Sequence, residues 1–270
     1  MTIARAAQDT IDSWTGRLNA VLTAADGPFD RVVVIRETAS TQDAARRLGA
    51  LPGTIVVAWR QTAGRGRLGR AWADTLDQGI AASFVVTAPA QTERLVIACA
   101  VAAARAAQTV LGRSVGIKWP NDIVVDGRKL AGILIELSGE RAVVGIGMNV
   151  LQTRWPLPLA DRAVSLVQLA SRPEPIERLT VLESLVRAMN ETLPDDNDRL
   201  CDEFARRDVL AGTRVVCRSG RRTITGTVLK VDPIRGLLVV SDREQVYLPA
   251  AVTTILNWQP DRTDRDEGTS

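Results

Sequence analysis

The sequence of 270 residues contains no histidine. This absence excludes histidine metal ligands, Ser-His and Cys-His nucleophilic pairs and histidine acid–base catalysis. The three cysteines, Cys99, Cys201 and Cys217, have neither C-x-x-C spacing nor an even count, so we expect reduced thiols without a role in catalysis or metal binding. Any chemistry must therefore depend on other polar side chains.

Long hydrophobic runs are also missing. The longest, LVIACAVAAA, is only about ten residues and too short to span a bilayer, and the N-terminal MTIARAAQDTIDSW lacks the apolar segment of a signal peptide. With 34 basic and 31 acidic residues, the net charge of +3 provides no long-range attraction to nucleic acid. We therefore expect a cytoplasmic protein without a membrane or DNA partner.

Hydrophobic periodicity predicts an α+β protein. The predicted helices cover 3–25, 40–50, 91–111, 176–193 and 197–209. The predicted strands cover 31–37, 53–60, 79–86 and 141–150, with a loop at 151–165. From Gly212 the pattern changes to four short β runs, TRVVCRS, TITGTVLKV, GLLVV and QVYLPA. These features predict a mixed-sheet catalytic domain at 1–210, a small all-β domain at 211–258 and a disordered tail at 259–270.

Residues 62–70 read TAGRGRLGR, in which an arginine follows each of three glycines. The glycines have the G-x-G-x-x-G spacing of a dinucleotide-binding turn, but AWADTLDQG behind them offers no helix of the required length, so we reject that interpretation. Guanidinium groups offer forked donors to carboxylate or phosphate. A solvated basic turn is the alternative. The interleaved pattern favours an anion-binding loop.

The stretch KWPNDIVVDGRKLAG at 118–132 contains a strong hairpin signal, Asp126-Gly127. A two-residue turn there pairs Val125 with Arg128, Val124 with Lys129, and Asp122 with Ala131. Asp122 and Lys129 then lie on one face as diagonal neighbours, roughly 7–8 Å apart at Cβ or less. A surface salt bridge is the alternative. The nearby Lys118 and Asn121 favour a site for a small molecule.

Arg65, Arg67, Lys118 and Lys129 place four cations in two motifs, with no nucleophile–histidine pair. Such groups bind and polarise phosphates rather than form covalent intermediates. Phosphoryl and nucleotidyl transfer depend mainly on positioning and charge stabilisation. The cations therefore indicate this type of reaction.

GRGRLGRAW, KWPNDI, GRKLAGIL and GIGMNV resemble, in this order, the motifs of the biotin–protein ligase family, and the similarity covers about residues 35–150. The β runs from Gly212 resemble the family's SH3-like C-terminal domain. The resemblance implies two half-reactions. Biotin's carboxylate attacks the α-phosphate of MgATP, giving biotinyl-5′-AMP and pyrophosphate. A lysine of a biotin carboxyl carrier domain then attacks this anhydride and releases AMP.

The resemblance also assigns site residues. It implies that biotin is bound by Ser40, Thr41, Gln42, Gln61, Gly64, Arg65, Gly66, Arg67, Trp72, Lys129 and Gly132. ATP and the adenylate are assigned to Arg65, Lys118, Asn121, Gly147, Asn149 and Trp155. The catalytic groups are Lys129, Arg67, Arg65, Lys118 and Asp122. Mg²⁺ enters with ATP, near Asn121, and has no site fixed by the protein alone.

Several of these assignments carry a specific role. Lys129 reaches the reacting carboxyl and the α-phosphate, and Asp122 orients and deprotonates the acceptor lysine. The loop at 62–72 closes over the ligand, so we expect it to be mobile without ligand and its arginines to gain partners only when ligand is present. Trp72 packs beneath the loop or is a core tryptophan. Trp155 stacks on adenine or is a hydrophobic anchor.

Some family members carry an N-terminal winged helix that binds DNA. About thirty residues precede the first predicted strand, too few for such a domain, so the resemblance implies a monofunctional ligase. The sequence does not distinguish a monomer from a homodimer. One rival is a lipoate–protein ligase, built on the same scaffold. Another is a non-catalytic nucleotide- or anion-binding regulator, although a pure binder has no use for a carboxylate facing phosphate.

Overall fold

The computed structural model describes residues 11–73, 77–171, 175–232, 234–241 and 244–258. The helices are α1 (Ile11–Ala24), α2 (Thr41–Arg47), α3 (Thr92–Leu111), α4 (Leu166–Leu169), α5 (Arg178–Thr192) and α6 (Asn197–Arg207). The start of the first predicted helix and the predicted tail at 259–270 lie outside the described residues. The other predicted helices agree with the structure to within three residues.

A seven-stranded mixed sheet forms the larger part of the protein. Its members are β1 (Arg31–Thr38), β2 (Thr54–Gln61), β5 (Gly79–Thr87), β6 (Gly116–Lys118), β7 (Asp122–Val125), β8 (Arg128–Ser138) and β9 (Arg141–Asn149). Their spatial order is β1-β2-β5-β9-β8-β7-β6, with β1 and β2 parallel and the other neighbours antiparallel. The predicted mixed-sheet α+β fold is confirmed.

Helices cover both faces of this sheet. On one face α1, α3 and α5 contribute to the main hydrophobic core, while α2 packs its small Ala44 and Ala45 against the other face. Among the described helices, α3 alone has the length and apolar composition of a membrane-crossing segment, and it is mostly buried inside the protein. Alanine at most of its inward positions lets α3 approach the sheet closely.

The chain then forms a second, all-antiparallel sheet. Its strands are β10 (Arg214–Ser219), β11 (Arg222–Asp232), β12 (Gly236–Val240), β13 (Gln245–Leu248) and β14 (Thr253–Trp258), in the order β13-β12-β11-β10-β14. Four short β runs were expected here, and β14 is the additional strand. A 3-10 helix at Ala250–Val252 leads into it. The buried side chains of this module are continuous with the main core. The domain boundary at 210/211 stays a prediction.

The hairpin at Asp126-Gly127 has the predicted turn but not the whole predicted register. Val125 opposes Arg128 and Val124 opposes Lys129, as expected. The pairing of Asp122 with Ala131 is wrong, since Asp122 opposes Gly132. A bulge between Ile123 and Val124 leaves Leu130, which is fully buried, as the extra residue on β8. A bulge places two residues opposite one, so every pair beyond it moves by one position.

Candidate active site

A cavity of about 510 Å³ opens between the sheet, the glycine–arginine loop and the all-β module. This volume is in the range of small-molecule binding pockets. The sequence-predicted site residues that line it are Ser40, Thr41, Gln42, Gln61, Arg65, Gly66, Arg67, Trp72, Lys118, Asn121, Asp122, Lys129, Gly132, Gly147, Asn149 and Trp155. Gly64 is the exception: it is buried behind the lining, and a Cβ there would lie 2.6 Å from Gln61 Nε2.

One wall of the cavity is a buried polar network at the start of α2. The Thr41 backbone amide donates to Gln61 Oε1 at 3.0 Å, and Ser83 Oγ donates to Thr41 Oγ1 at 2.8 Å. Gln42 Nε2 donates to the carbonyl of Val143 at 3.2 Å, on β9. Buried polar side chains are normally retained only with partners. These bonds therefore fix the groups that face the cavity.

Lys129 and Asp122 form an ion pair in the cavity. Lys129 Nζ lies 2.6 Å from Asp122 Oδ1, and the two side chains are 36% and 26% exposed. The Lys129 backbone is fixed by bonds to the 162–164 segment, and Asn149 Nδ2 donates to its carbonyl at 3.2 Å. The predicted proximity of the two side chains is confirmed. The alternative, a surface salt bridge, describes the pairing but not its place, because both side chains line the pocket.

Trp72 lies on the pocket side of the sheet, and two glycines make room for it. A Cβ on Gly147 would lie 2.5 Å from Trp72 Cε2, and one on Gly132 would lie 3.1 Å from Trp72 Cζ3. Lys129 Nζ is 5.4 Å from the centre of the indole ring. A half-buried cation next to an aromatic face gains an electrostatic attraction. The indole therefore packs against the sheet inside the pocket, which agrees with the first of the two alternatives, a tryptophan beneath the loop, rather than with a core position.

The glycine–arginine loop is a small ribbon. β3 (Gly64–Arg65) pairs with β4 (Ala71–Trp72), and a 3-10 turn at Arg67–Gly69 joins them, with Leu68 at φ 56° and Gly69 at φ 73°. The φ of Leu68 is in the left-handed region that favours glycine. The Gly66 amide donates to the Arg70 carbonyl at 2.7 Å. The mobility of this loop without ligand stays a prediction.

Two of the loop arginines already have partners in the protein. Arg65 is ion-paired with Asp43 and Glu136. Arg67 donates to Asn121 Oδ1 at 3.3 Å and to the Ala250 carbonyl. The expectation that these arginines gain partners only when ligand is present is wrong. The reason is that α2, β8 and the all-β module supply acceptors from distant parts of the chain.

The all-β module closes one side of the cavity. Residues Thr253–Trp258 of β14 line it, and Lys118 Nζ lies 5.2 Å from the Trp258 ring centre. Sequence reasoning missed this contribution, as it did the lining residues Arg70 and Arg162. Nothing in a β run indicates which domain it will face, and no local pattern marks Arg162. Arg70, however, lies in the glycine–arginine pattern at 62–70, and that pattern could have identified it.

Two cations of the cavity, Arg67 and Lys118, are largely desolvated. Burial lowers the pKa of Arg67, although the negative charge of Asp122 raises it in part. Burial is also the main reason that the pKa of Lys118 is lowered, with Asp122 opposing the shift and Lys129 adding to it. Asp122 is thus the carboxylate that faces three cations. An anionic ligand entering here would meet positive charge that little water screens.

The remaining predicted residues are held by the protein. Asn121 Nδ2 donates to the Ile133 carbonyl at 2.6 Å, and its Oδ1 accepts from Arg67. Asn149 is buried and also donates to the Val164 carbonyl. Trp155 Nε1 donates to Gln168 Oε1 at 3.0 Å. Their contacts with a nucleotide stay predictions. Within the described ranges, no group of three or more Asp, Glu, Cys or His side chains could hold a metal ion.

The phosphate contact that the resemblance implies for Lys118 should be lost at alkaline pH. The ammonium must be charged to bind phosphate, and its lowered pKa means that this charge is lost at a lower pH than in an ordinary lysine. We expect the KM for ATP to rise there, and the rise to shift to higher pH in Lys118→Arg. Raising the pH should not destabilise the fold through this residue. Between the lowered pKa of Lys118 in the folded protein and its ordinary pKa in the unfolded chain, the unfolded chain binds more protons, so stability rises with pH in that range. If the KM for ATP rises over the same alkaline pH range in wild type and in Lys118→Arg, Lys118 does not bind phosphate.

The site is thus a cationic pocket in a mixed-sheet α+β domain, bordered by a glycine–arginine loop and an all-β module. The chain belongs to the biotin/lipoate A/B protein ligase family, whose model matches residues 33–152. It is 33% identical to the bifunctional ligase/repressor BirA of Bacillus subtilis (strain 168) over 227 residues, which cover 77% of this chain and 68% of that protein.

Two further comparisons agree. The biotin–[acetyl-CoA-carboxylase] ligase of Mycobacterium tuberculosis is 30% identical over 226 residues, covering 78% of this chain and 84% of that protein. The structure of the biotin protein ligase from Aquifex aeolicus in complex with biotin and ATP has a TM-score of 0.76 and 26% identity, covering 86% of this chain and all of that one. The predicted family and fold are confirmed.

Proposed function

We propose that the protein is a biotin–protein ligase that forms biotinyl-5′-AMP from biotin and ATP and transfers biotin to a lysine of a biotin carboxyl carrier domain. The observation that supports this most directly is the Lys129–Asp122 pair inside the cavity. An anion-binding site needs the lysine. A reaction in which an amine must lose a proton also needs the carboxylate.

In the first half-reaction a carboxylate oxygen of biotin attacks the α-phosphorus of ATP, and the bond to pyrophosphate breaks. Two anions must approach each other, so the main task is to neutralise charge. Lys129 would bind the attacking carboxylate and the α-phosphate. Arg67 and Lys118 would bind phosphate oxygens, since Arg67 now contacts two neutral acceptors and Lys118 an indole.

In the second half-reaction the acceptor lysine attacks the acyl carbon, the bond to AMP breaks, and the amine loses a proton. Asp122 is the proposed acceptor of that proton. When Lys129 turns to the substrate anions, the 2.6 Å contact with Asp122 would weaken. The carboxylate would then be available to orient the incoming amine. This sequence would couple adenylate formation to readiness for transfer.

The polar wall at α2 supports biotin over lipoate. A ureido ring has both donors and acceptors to satisfy, whereas a dithiolane ring has neither. Ser40, Thr41, Gln42 and Gln61 present hydrogen-bonding groups that are at most 8% exposed. A ureido ring can exchange hydrogen bonds with such a wall, whereas an apolar ring would only exclude water from it, so the wall should favour biotin. The biotin ligase names of the relatives agree with this choice.

The metal ion, the acceptor protein and the oligomeric state are part of the same proposal. Mg²⁺ would be bound through the ATP phosphates, because Asn121 Oδ1 already accepts from Arg67 and the described residues offer no metal cluster. The acceptor would be the biotin carboxyl carrier domain of a carboxylase in the cytoplasm, with no DNA partner. Either a monomer or a homodimer would serve this chemistry.

The proposal is tested by pyrophosphate release from MgATP when the purified protein is offered biotin, lipoate or neither. We expect pyrophosphate release with biotin but not with lipoate. When a carrier domain with an intact target lysine is added, biotin should then be transferred to that lysine. A carrier with that lysine changed to arginine is the control for transfer. Release with lipoate instead would assign the sister activity. If the folded protein releases no pyrophosphate with either biotin or lipoate, the ligase function is refuted.

A further inference from the structure

We propose that Arg65 is the anchor of the glycine–arginine loop rather than a phosphate ligand, and that Asp43 and Glu136 are the positioning residues that hold it. This inference rests on the proposed function. It removes from Arg65 the phosphate contact that the family motif suggests. It also assigns a role in ligand retention to two carboxylates that no motif includes.

The three side chains belong to a closed ring of four charges. Arg65 Nη1 lies 2.9 Å from Asp43 Oδ1, and Arg65 Nη2 lies 2.9 Å from Glu136 Oε2. Arg46 contacts the same two carboxylate oxygens, at 3.0 Å and 2.6 Å. Asp43 and Arg46 are on α2, Glu136 is on β8, and Arg65 is on β3. The ring therefore fastens the loop to two separate elements.

Each contact alone would be weak, because the side chains of Arg65, Asp43 and Glu136 are 38%, 33% and 27% exposed. Isolated exposed pairs contribute little, but networks with both arms of a guanidinium engaged contribute more. The loop itself needs only modest stabilisation to change its open and closed populations. A ring of this kind is therefore strong enough to bias the loop.

Arg65 differs from Arg67 and Lys118 in the partners that it would lose on binding a phosphate. Arg67 donates to a side-chain amide and a backbone carbonyl, both neutral, and Lys118 lies over an indole. A phosphate would replace these weaker partners at a net gain. Arg65 would have to leave two carboxylates, and the exchange would return little. The loop cation that binds phosphate is therefore Arg67.

The ring also ties the loop to the elements that form the polar wall. Asp43 follows Gln42 directly on α2, and Gln42 Nε2 donates to the Leu134 carbonyl, two residues before Glu136 on β8. The loop, once fastened at Arg65, would cover whatever binds that wall. Loss of the ring should therefore let biotin and its adenylate escape, while the cations that act on phosphorus stay in place.

The test is a cycle of variants at Arg65, Asp43 and Glu136. Asp43→Asn/Glu136→Gln should raise the KM for biotin about tenfold, equivalent to about 1.4 kcal/mol. It should also speed release of the adenylate when no acceptor is present, with kcat within about twofold. Arg65→Met should do the same. Arg65→Met combined with the two carboxylate changes should add less than about twofold, because the groups act as one unit.

Glu244→Gln is the matched control. It removes an exposed ion pair with Arg222 on the all-β module, away from the loop, and should change none of these quantities. Melting temperatures of all variants separate loop effects from general destabilisation. Arg65→Met with a kcat loss of a hundredfold, beside a nearly normal carboxylate double variant, would overturn the inference. Additive losses in the cycle would overturn it as well.

A second readout needs no activity. Cleavage by an arginine-specific protease at residues 65–70 reports how often the loop opens. Asp43→Asn/Glu136→Gln should speed this cleavage about tenfold relative to wild type, and Glu244→Gln should not. Unchanged cleavage would overturn the anchor even if the protein proves to be a ligase. Faster cleavage in a protein that does not release pyrophosphate with biotin would refute the function and leave the anchor intact.

Discussion

Replacing Lys129 with alanine is expected to lower biotin-dependent pyrophosphate release by at least a thousandfold, since loss of a single donor to the developing charge costs about 10²–10³ in comparable sites and Lys129 also carries a full charge. Its ammonium lies 2.6 Å from Asp122 and faces the Trp72 ring. Without it, Asp122 would repel the carboxylate and the phosphates that must meet there. The effect should fall on kcat and on kcat/KM together.

The chain provides a matched control for this change. Its lysines are Lys118, Lys129 and Lys230, and Lys230 is an exposed residue of β11 in the all-β module. Lys230→Ala should leave both half-reactions unchanged. Circular dichroism and thermal melting should be similar for both variants, because Lys129 is held mainly through its backbone. A Lys129→Ala protein with more than a tenth of the wild-type rate would remove this residue from the proposed mechanism.

Changing Asp122 to asparagine should slow transfer to the carrier by about 10²–10⁴, the usual contribution of a positioned general base. Adenylate formation should change by less than about tenfold. The carboxylate faces Lys129 and acts on Arg67 and Lys118, so its neutral substitute leaves the anion-binding cations in place. Transfer requires an acceptor for the amine proton, which asparagine cannot supply.

Single-turnover experiments can separate the two steps. The first measures adenylate formation with excess enzyme and no carrier. The second mixes preformed enzyme-bound adenylate with carrier and follows biotin on the target lysine. Raising the pH should partly rescue Asp122→Asn in the second experiment, because more of the attacking amine is then already neutral. Equal losses in both steps would show that Asp122 acts only by holding Lys129.

Much of the fold follows from local sequence. The buried run at 79–86, the alanine-rich segment at 91–111 and the Asp126-Gly127 turn each contain a period or turn chemistry that one conformation satisfies best. The same locality explains the error in the hairpin. The bulge that moves Asp122 opposite Gly132 accompanies the complete burial of Leu130, and that burial depends on elements far away in the chain.

The sequence predicted those site residues that lie within contiguous motifs, but not the contacts between them and distant parts of the chain. Gly132 and Gly147 were recognised within motifs, but the reason that they are glycines, the space taken by the Trp72 indole, required the packed sheet. The acceptors of Arg65 are 22 and 71 residues away from it in sequence, and the carbonyl bound by Arg67 is 183 residues away. Contacts at such separations leave no local pattern.

The sequence by itself determined the family, most of the order of elements and most of the charged groups that meet in one cavity, because these depend on short-range patterns and on motifs with fixed spacing. Only the tertiary structure decided which charge neutralises which. In the folded protein Lys129 is paired with Asp122, and the all-β module contacts Lys118. Arg65 is ion-paired with Asp43 and Glu136. The physical reason is that electrostatic partners are chosen by distance and burial in three dimensions, and neither is encoded at any single position.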